Sequence, residues 1–324
     1  MAIEKQPTCQ LNRIDFLITN LCNLRCRMCN YRVNNFFTKM MPLNKIKSII
    51  EEAGDLGAEI LGLSGGEPMI RKDIYEIIHF ASSRGLKVRL MTNGVLVGEK
   101  EVRQLIDSGL NAVSVSLEGP EEINDWIRGE GNYQKALNAI RYFGKYRGQN
   151  HDFTAVGITL SRCNYRYLLS FCKFLLEEVG IGAVTINPFE RMMLMAKDRE
   201  IRQKEFLLDT EQMADFQAEL EKVIEYATKM GSRMPAPQFL KKIPDYFLGK
   251  AIVPEKGCFI PRTTWGIQTD GRVFPCWKTS SVGDLNQMSL KDIFGLPSYQ
   301  EFVQDASTGK CGGCLTSCYE ELYF

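Results

Sequence analysis

The sequence predicts an α/β protein: an open, partial (β/α)6 barrel followed by a small cysteine-rich α+β region at the C-terminus. Three features carry that expectation. Short apolar runs alternate with amphipathic helical patterns from residue 13 to about 187. Prolines interrupt the rhythm over 188–256. From Cys258 onward, hairpin and cysteine signals replace it.

Residues 1–12 read as a short lead-in. Strand-like runs then fall at 14–19, 59–64, 88–92, 112–116, 153–160 and 183–187. Between them, apolar residues recur three and four apart, as in Ile46, Ile49, Ile50 and Ala53, or Val102, Leu105, Ile106 and Leu110, which is helical spacing. Strands alternating with helices imply βαβ crossovers and a parallel sheet. Six such units, over 13–187, are two short of a closed eight-stranded barrel. Pro188 ends the last strand, and Met192, Met193 and Met195 follow it as candidate pocket-lining residues. Within the bridge, 188–256, one helix is expected, with Met213, Phe216, Leu220, Val223, Ile224 and Ala227 on its apolar face. In the last segment, 257–324, strands at 262–268 and 272–276 flank Asp270-Gly271, a hairpin signal. Helices are expected near 290–294 and 298–305.

The apolar and charged fractions, 44% and 24%, are those of an ordinary globular protein. With 40 basic and 39 acidic residues, no global field favours nucleic acid or an anionic membrane. No apolar run reaches the length of a membrane span, and no signal-peptide core opens the chain, so a cytoplasmic protein is expected. Eleven cysteines in a reducing compartment point to metal or redox work rather than disulfides.

Eight of those cysteines fall into two groups at opposite ends. Cys22, Cys26 and Cys29 form a C-x3-C-x2-C loop just after the first strand. Three thiolates leave a structural zinc site incomplete, but they can hold three irons of a [4Fe–4S] cluster and leave the fourth open. The second strand ends in Ser64-Gly65-Gly66-Glu67-Pro68. Its glycines allow close backbone approach, and Glu67 can accept hydrogen bonds from an ammonium group.

The cysteine spacing, followed one βα unit later by Gly-Gly-Glu-Pro, resembles the radical S-adenosylmethionine (SAM) enzymes. The resemblance implies a partial, TIM-like barrel in which SAM chelates the open iron and is cleaved to a 5′-deoxyadenosyl radical. It assigns Gly65, Gly66 and Glu67 to SAM binding, with Asn93, Ser116 and Arg128 beside the ribose and carboxylate. Arg128 stands in Asp125-Trp126-Ile127-Arg128-Gly129, similar to a motif of the SPASM branch. Two positions depart from the family: Glu118 stands where Asp is usual, and Met28 where an aromatic residue is usual.

The second group, Cys258, Cys276, Cys311, Cys314 and Cys318, resembles the truncated SPASM, or twitch, domain, which holds one auxiliary [4Fe–4S] cluster. Five candidates compete for four positions, and the sequence does not rank Cys314 against Cys318. A four-cysteine zinc ribbon is the alternative that the spacing also allows. Cys163, at the mouth end of the fifth strand, is a candidate hydrogen-atom donor, with a small buried side chain as the competing reading. Cys172 lies on an apolar helix face and reads as core; Cys9 carries no reading. His79 falls on a helix and His151 just before a strand, both away from the expected barrel mouth.

The resemblance implies abstraction of a hydrogen atom from a peptide or sugar-like natural product. The auxiliary cluster would assist oxidation, epimerisation or cross-linking. A one-electron donor such as flavodoxin or ferredoxin is implied, and a leader-binding protein, if used, would be a separate chain. The reading from another class is an iron–sulfur electron carrier or zinc-binding adaptor, which leaves Gly65-Gly66-Glu67-Pro68 unexplained.

Overall fold

A computed structural model of the chain describes residues 11–29, 40–147, 153–190, 204–254 and 257–316. Six parallel strands run in sequence order: β1 (Arg13–Thr19), β2 (Ile60–Gly65), β3 (Lys87–Thr92), β4 (Leu110–Ser116), β5 (Thr154–Leu160) and β6 (Ala183–Pro188). Strand β6 does not pair with β1, so the barrel stays open. All six expected strands are present, with ends shifted by one or two residues. Leu110, expected on a helix face, instead begins β4. The preceding helix ends at Asp107, and Gly109, at φ +95°, turns the chain.

The strands show why the sheet has two different faces. In β1, Ile14, Phe16 and Ile18 are buried, while Arg13, Asp15 and Leu17 are only half-buried. Period-two alternation sends the first set toward the helices and the second into the lumen. On β4, β5 and β6 the half-buried set is small or polar: Ala112, Ser114 and Ser116, then Ala155, Gly157 and Thr159, then Ala183, Thr185 and Asn187. A closed barrel of this type fills its interior with branched apolar side chains. Here the lumen is left as space.

The helices cover the outer face. They are α1 (Leu43–Asp55), α2 (Ile74–Ser83), α3 (Glu99–Asp107), α4 (Glu121–Arg128), α5 (Asn132–Arg147) and α6 (Leu168–Lys173), the last extended by a π-helical turn, Phe174–Val179. Helix α1 buries Ile46, Ile49, Ile50 and Ala53, the face its spacing predicts. Each of the three isoleucines contributes about 2 kcal/mol by burial. In the bridge, α7 (Met213–Met230) buries Met213, Phe216, Leu220, Val223, Tyr226 and Ala227; Ile224 is only partly covered. Two short helices follow, α8 (Pro237–Leu240) and α9 (Ile243–Phe247).

The C-terminal strands extend the same sheet. After α10 (Ile260–Thr263), β7 (Thr264–Ile267) pairs parallel with β1, on the side opposite β2. Strands β8 (Arg272–Phe274) and β9 (Gly283–Asp284) follow antiparallel. The expected hairpin turns at Gly271, φ +93°. Residues 262 and 263, expected in the strand, belong to α10, which has Pro261 in its first turn. Helices α11 (Leu290–Phe294) and α12 (Pro297–Ser307) close the segment. Their core is Trp265, whose indole nitrogen donates to the Pro261 carbonyl at 2.9 Å and whose ring lies against Phe294 and Tyr299. Among the described residues, no helix is long and apolar enough to cross a membrane. Cys9, His151, Met192, Met193, Met195 and Cys318 lie outside the described residues.

Candidate active site between two cysteine groups

Strand β1 delivers the first cysteine loop. Buried Thr19 turns the chain, its hydroxyl accepting from the Leu21 amide at 3.1 Å. The loop is then held on two sides. The amides of Gly66 and Glu67 donate to the carbonyls of Thr19 and Leu21, each at 2.7 Å, and the Arg27 amide donates to the Ile127 carbonyl at 2.8 Å. A side-chain carbon on Gly65 would sit 2.2 Å from the Thr19 oxygen, and one on Gly66 2.2 Å from the Leu21 oxygen. The glycines therefore make room for the cysteine loop itself, where their sequence context suggested room for a ligand.

Cys26 is buried, and Cys22 and Cys29 are half-buried. The Leu24 amide donates to Cys22 Sγ at 3.4 Å, and Asn93 Nδ2 reaches the same sulfur at 3.9 Å. Burial pushes the Cys26 thiol up to about 11 and raises Cys22 as well; the charges of neighbouring thiols add to both shifts. Partly desolvated and beside other thiols, Cys22 and Cys26 hold their protons more tightly unless positive charge joins them, which a metal supplies. Among the described residues no three His, Cys, Asp or Glu side chains converge on a single ion. A cubane takes each sulfur on a different iron, so the trio suits a cluster better than an ion.

The residues expected around SAM gather at the adjoining strand ends. Glu67 is buried; its carboxylate accepts from the Met69 amide, the Thr92 hydroxyl and the Asn93 amide at 3.0, 2.7 and 2.8 Å. Burial raises its pKa, and those hydrogen bonds oppose the rise. Glu67 thus ties β2 to β3 before any ligand arrives. Asn93 donates to Asn23 in the cysteine loop at 2.8 Å. Ser116 lies on the lumen face opposite Gly157. Arg128 donates through Nε, at 2.9 Å, and Nη2 to Glu118 Oε1. Burial works against its charge, but Glu118 and the Cys26 and Cys29 sulfurs raise its pKa. Arg128 is a buried ion-pair partner beside the cysteine loop.

The second cysteine group forms at the other end of the sheet. Cys258, Cys276, Cys311 and Cys314 line one cavity of about 190 Å³. Two glycines allow this closure: a side-chain carbon on Gly257 would meet the Ser307 carbonyl at 2.0 Å, and one on Gly313 the Ile252 carbonyl at 2.2 Å. The neighbouring amides of Cys258 and Cys314 donate to Ala306 and Ile252 at 3.0 and 2.9 Å. Burial pushes Cys258 up to about 12 and raises Cys276 and Cys314. Four sulfurs around one cavity fit a second cluster. Their number alone also fits a zinc ion, but here too no three of the described side chains converge on a single ion.

The two regions meet across the lumen. A cavity of about 290 Å³ is lined by Arg13, Asp15, Leu17, Ser64 and Met91 of the barrel, and by Cys276, Trp277, Lys278 and Cys314 beyond it. Gly266 lets the Trp277 ring lie over β7, since a side-chain carbon there would meet the ring at 2.3 Å. Cys163 is outside this lining; its thiol donates to the Glu205 carbonyl at 3.1 Å. Cys172 is core, and His79 is exposed on α2. Sequence reading missed Trp277, Lys278 and the inward Arg13 and Asp15. Polar residues at alternate positions of an otherwise buried strand were the available signal for the last two.

Comparison with known proteins bears on both regions. A profile of the radical SAM superfamily matches residues 16–172, and one for the SPASM iron–sulfur cluster-binding domain matches 258–318. The AdoMet-dependent heme synthase of Nitratidesulfovibrio vulgaris is 25% identical over 339 residues, covering 96% of this chain and 86% of that protein. The mycofactocin maturase MftC of Mycolicibacterium smegmatis is 30% identical over 157 residues, 48% of this chain and 39% of that protein. In fold, the chain is similar to Streptococcus suis SuiB bound to its precursor peptide SuiA, at TM-score 0.72 and 18% identity, covering 97% of this chain and 73% of that one.

Proposed function

Because the chain belongs to the radical SAM superfamily, in its SPASM branch, and is an enzyme of that kind, we propose that it oxidises its substrate at a C–H bond held between the two cysteine groups. When bound, SAM and its cluster would supply a 5′-deoxyadenosyl radical for hydrogen-atom abstraction, and an auxiliary cluster would supply an acceptor for the electron left on the substrate as its proton departs. Cys22, Cys26 and Cys29 hold the SAM-binding cluster. Cys258, Cys276, Cys311 and Cys314 hold the auxiliary one. Gly65, Gly66, Glu67, Asn93, Ser116 and Arg128 form the SAM site. The barrel core, 13–187, generates the radical, the bridge, 188–256, joins the parts, and 257–324 carries the auxiliary cluster.

One observation supports this above the others: the lumen cavity has barrel strands on one wall and Cys276 and Cys314 on another. A substrate there lies against the lumen side of β1 to β3 and beside Cys276 and Cys314, while the first cysteine loop stands beyond the C-terminal end of β1. Oxidation is favoured over epimerisation because the Cys163 thiol is engaged with the Glu205 carbonyl. The chain's own contribution is positional: it fixes the reacting carbon and excludes water and stray hydrogen donors.

For the substrate, a peptide or a sugar-like natural product is the first reading, the peptide in line with the maturase relative and the SuiB-like fold. A tetrapyrrole is the second, favoured by the relative that matches along nearly the whole chain, a heme synthase. A flavodoxin or ferredoxin would supply the electron, and a separate leader-binding protein would serve a peptide substrate. Anaerobic reconstitution followed by dithionite and SAM should yield 5′-deoxyadenosine. Its absence, or zinc in both cysteine groups, removes the proposal. Mass spectrometry of a neighbouring precursor peptide and of an iron porphyrin, each incubated with the holoenzyme, separates the substrate readings.

A further inference from the structure

We propose that Lys278 is an anion-recognition residue of the substrate cavity, that it takes a carboxylate of the substrate, and that Glu190 is the counter-ion it holds until that carboxylate arrives. The inference deepens the functional reading above and rests on it.

Lys278 lies two residues beyond Cys276 and lines three cavities. One is the substrate cavity of about 290 Å³. Another is the space enclosed by the four cysteines. The third, of about 190 Å³, is also lined by Glu190, Leu207 and Tyr246. Lys278 therefore borders the substrate space, while its ammonium rests beside Glu190 near the end of β6. Its Nζ is 3.2 Å from Glu190 Oε1, with the two side chains 23% and 18% exposed. The Tyr246 ring lies 5.4 Å from the same nitrogen.

The pair is close but poorly made. Glu190 Oε1 is buried and makes no hydrogen bond, so the ammonium is near it without being aligned on it. A partly desolvated carboxylate oxygen with an incomplete partner is unfavourable. A lysine ammonium on its flexible stem can turn to a better acceptor without breaking a fixed fork of bonds. Other cations nearby are committed elsewhere. Arg13, on the same cavity wall, pairs with Asp15 at 2.9 Å, and Lys250, in the third cavity, pairs with Asp245 at 2.7 Å. A carboxylate entering the lumen cavity would thus be drawn to Lys278, beside Cys276 and Cys314. That contact would hold the substrate at the electron-accepting end.

The test uses SAM-loaded, reconstituted holoenzyme and two carboxylate probes, each beside its methyl ester: a short Asp- and Glu-containing peptide, and iron coproporphyrin III. Equilibrium binding is measured directly. At least one acid should bind the wild type about tenfold more tightly than its ester, and which one does so identifies the source of the carboxylate. Lys278→Met should abolish the difference, and Lys278→Arg should keep most of it. Glu190→Gln, which removes the competitor, should strengthen acid binding about threefold. The proposal is overturned if neither acid is preferred, if Lys278→Met keeps the preference, or if Glu190→Gln weakens acid binding. Iron content and cluster spectra certify each variant as folded. Formation of 5′-deoxyadenosine by the wild-type holoenzyme tests the functional reading separately.

Discussion

Glu118 spends both carboxylate oxygens inside the protein: Oε1 accepts from Arg128 Nε and Nη2, and Oε2 accepts from the Thr159 amide at 2.7 Å. Its side chain has no exposure, and that of Arg128 has 12%. The pair joins the ends of β4 and β5 to α4, and α4 in turn holds the cysteine loop through Ile127 and Arg27.

Neutralising Glu118 leaves a buried guanidinium without its partner. Glu118→Gln should lose about 3 kcal/mol of stability in urea unfolding, and SAM affinity should fall about tenfold as Arg128 drifts. Glu118→Asp, which restores the residue usual in the family, is one methylene short of spanning Arg128 and Thr159 together, so its loss should be smaller but measurable. Wild-type SAM affinity in Glu118→Gln would show that Arg128 is structural only.

Gly65 and Gly66 face the carbonyls of Thr19 and Leu21, and backbone cannot swing away as a flexible side chain can. Gly65→Ala or Gly66→Ala should displace the first cysteine loop and lower iron content by about half, sparing the auxiliary cluster. Gly85→Ala is the control. Its Cβ would meet nothing within 4 Å, although φ is +84°, so only a backbone penalty of about 1 kcal/mol is expected. Full iron loading in both loop variants, by iron assay and electron paramagnetic resonance, would contradict the packing argument.

What could be read in advance followed from local rules. Strand positions showed as apolar runs, and α1 and α7 as residues three and four apart, because burial of one face imposes those periods. The hairpin showed at Asp270-Gly271. The cysteine groups showed because ligands of one metal group cluster in sequence. The unread parts depend on partners distant in the chain. Nothing near Thr264 announces that β7 will pair with β1. Nothing near Lys278 points to Glu190, and the Gly65-Gly66 pair gives no hint that its crowding neighbour is a carbonyl forty-odd residues earlier. Register and tertiary approach create these relationships, and neither has a local period.

The four cysteines around the second cavity make a ligand prediction sharper than spacing alone allowed. Cys258→Ala, Cys276→Ala and Cys314→Ala should each remove about half of the iron. In each variant the first cluster should keep the spectral change that SAM binding produces. Cys163→Ala should keep all of the iron and stay within about twofold of wild-type turnover, as expected for a thiol bonded to a backbone carbonyl rather than facing substrate. Retention of the auxiliary signal in Cys314→Ala would reassign that ligand. Loss of turnover with intact clusters in Cys163→Ala would return Cys163 to the reaction.

The small lumen side chains predict a separation of folding from catalysis. At Gly157 an added side-chain carbon would find Ser114 Oγ at 3.4 Å and Thr185 Oγ1 at 3.6 Å, ordinary contact distances that place all three on the lumen face. Backbone strain is not at issue, because Gly157 is not among the glycines with positive φ. Gly157→Ala should therefore be tolerated within about 1 kcal/mol. Gly157→Leu extends three further carbons into the space beside Ser116, where nothing on the helix side is disturbed. Its urea midpoint and iron content should stay near wild type, while SAM binding and 5′-deoxyadenosine formation fall at least about tenfold. A packed lumen would respond in the opposite way, with stability lost and SAM binding indifferent, so the pair of measurements decides whether this interior is a binding space or a core.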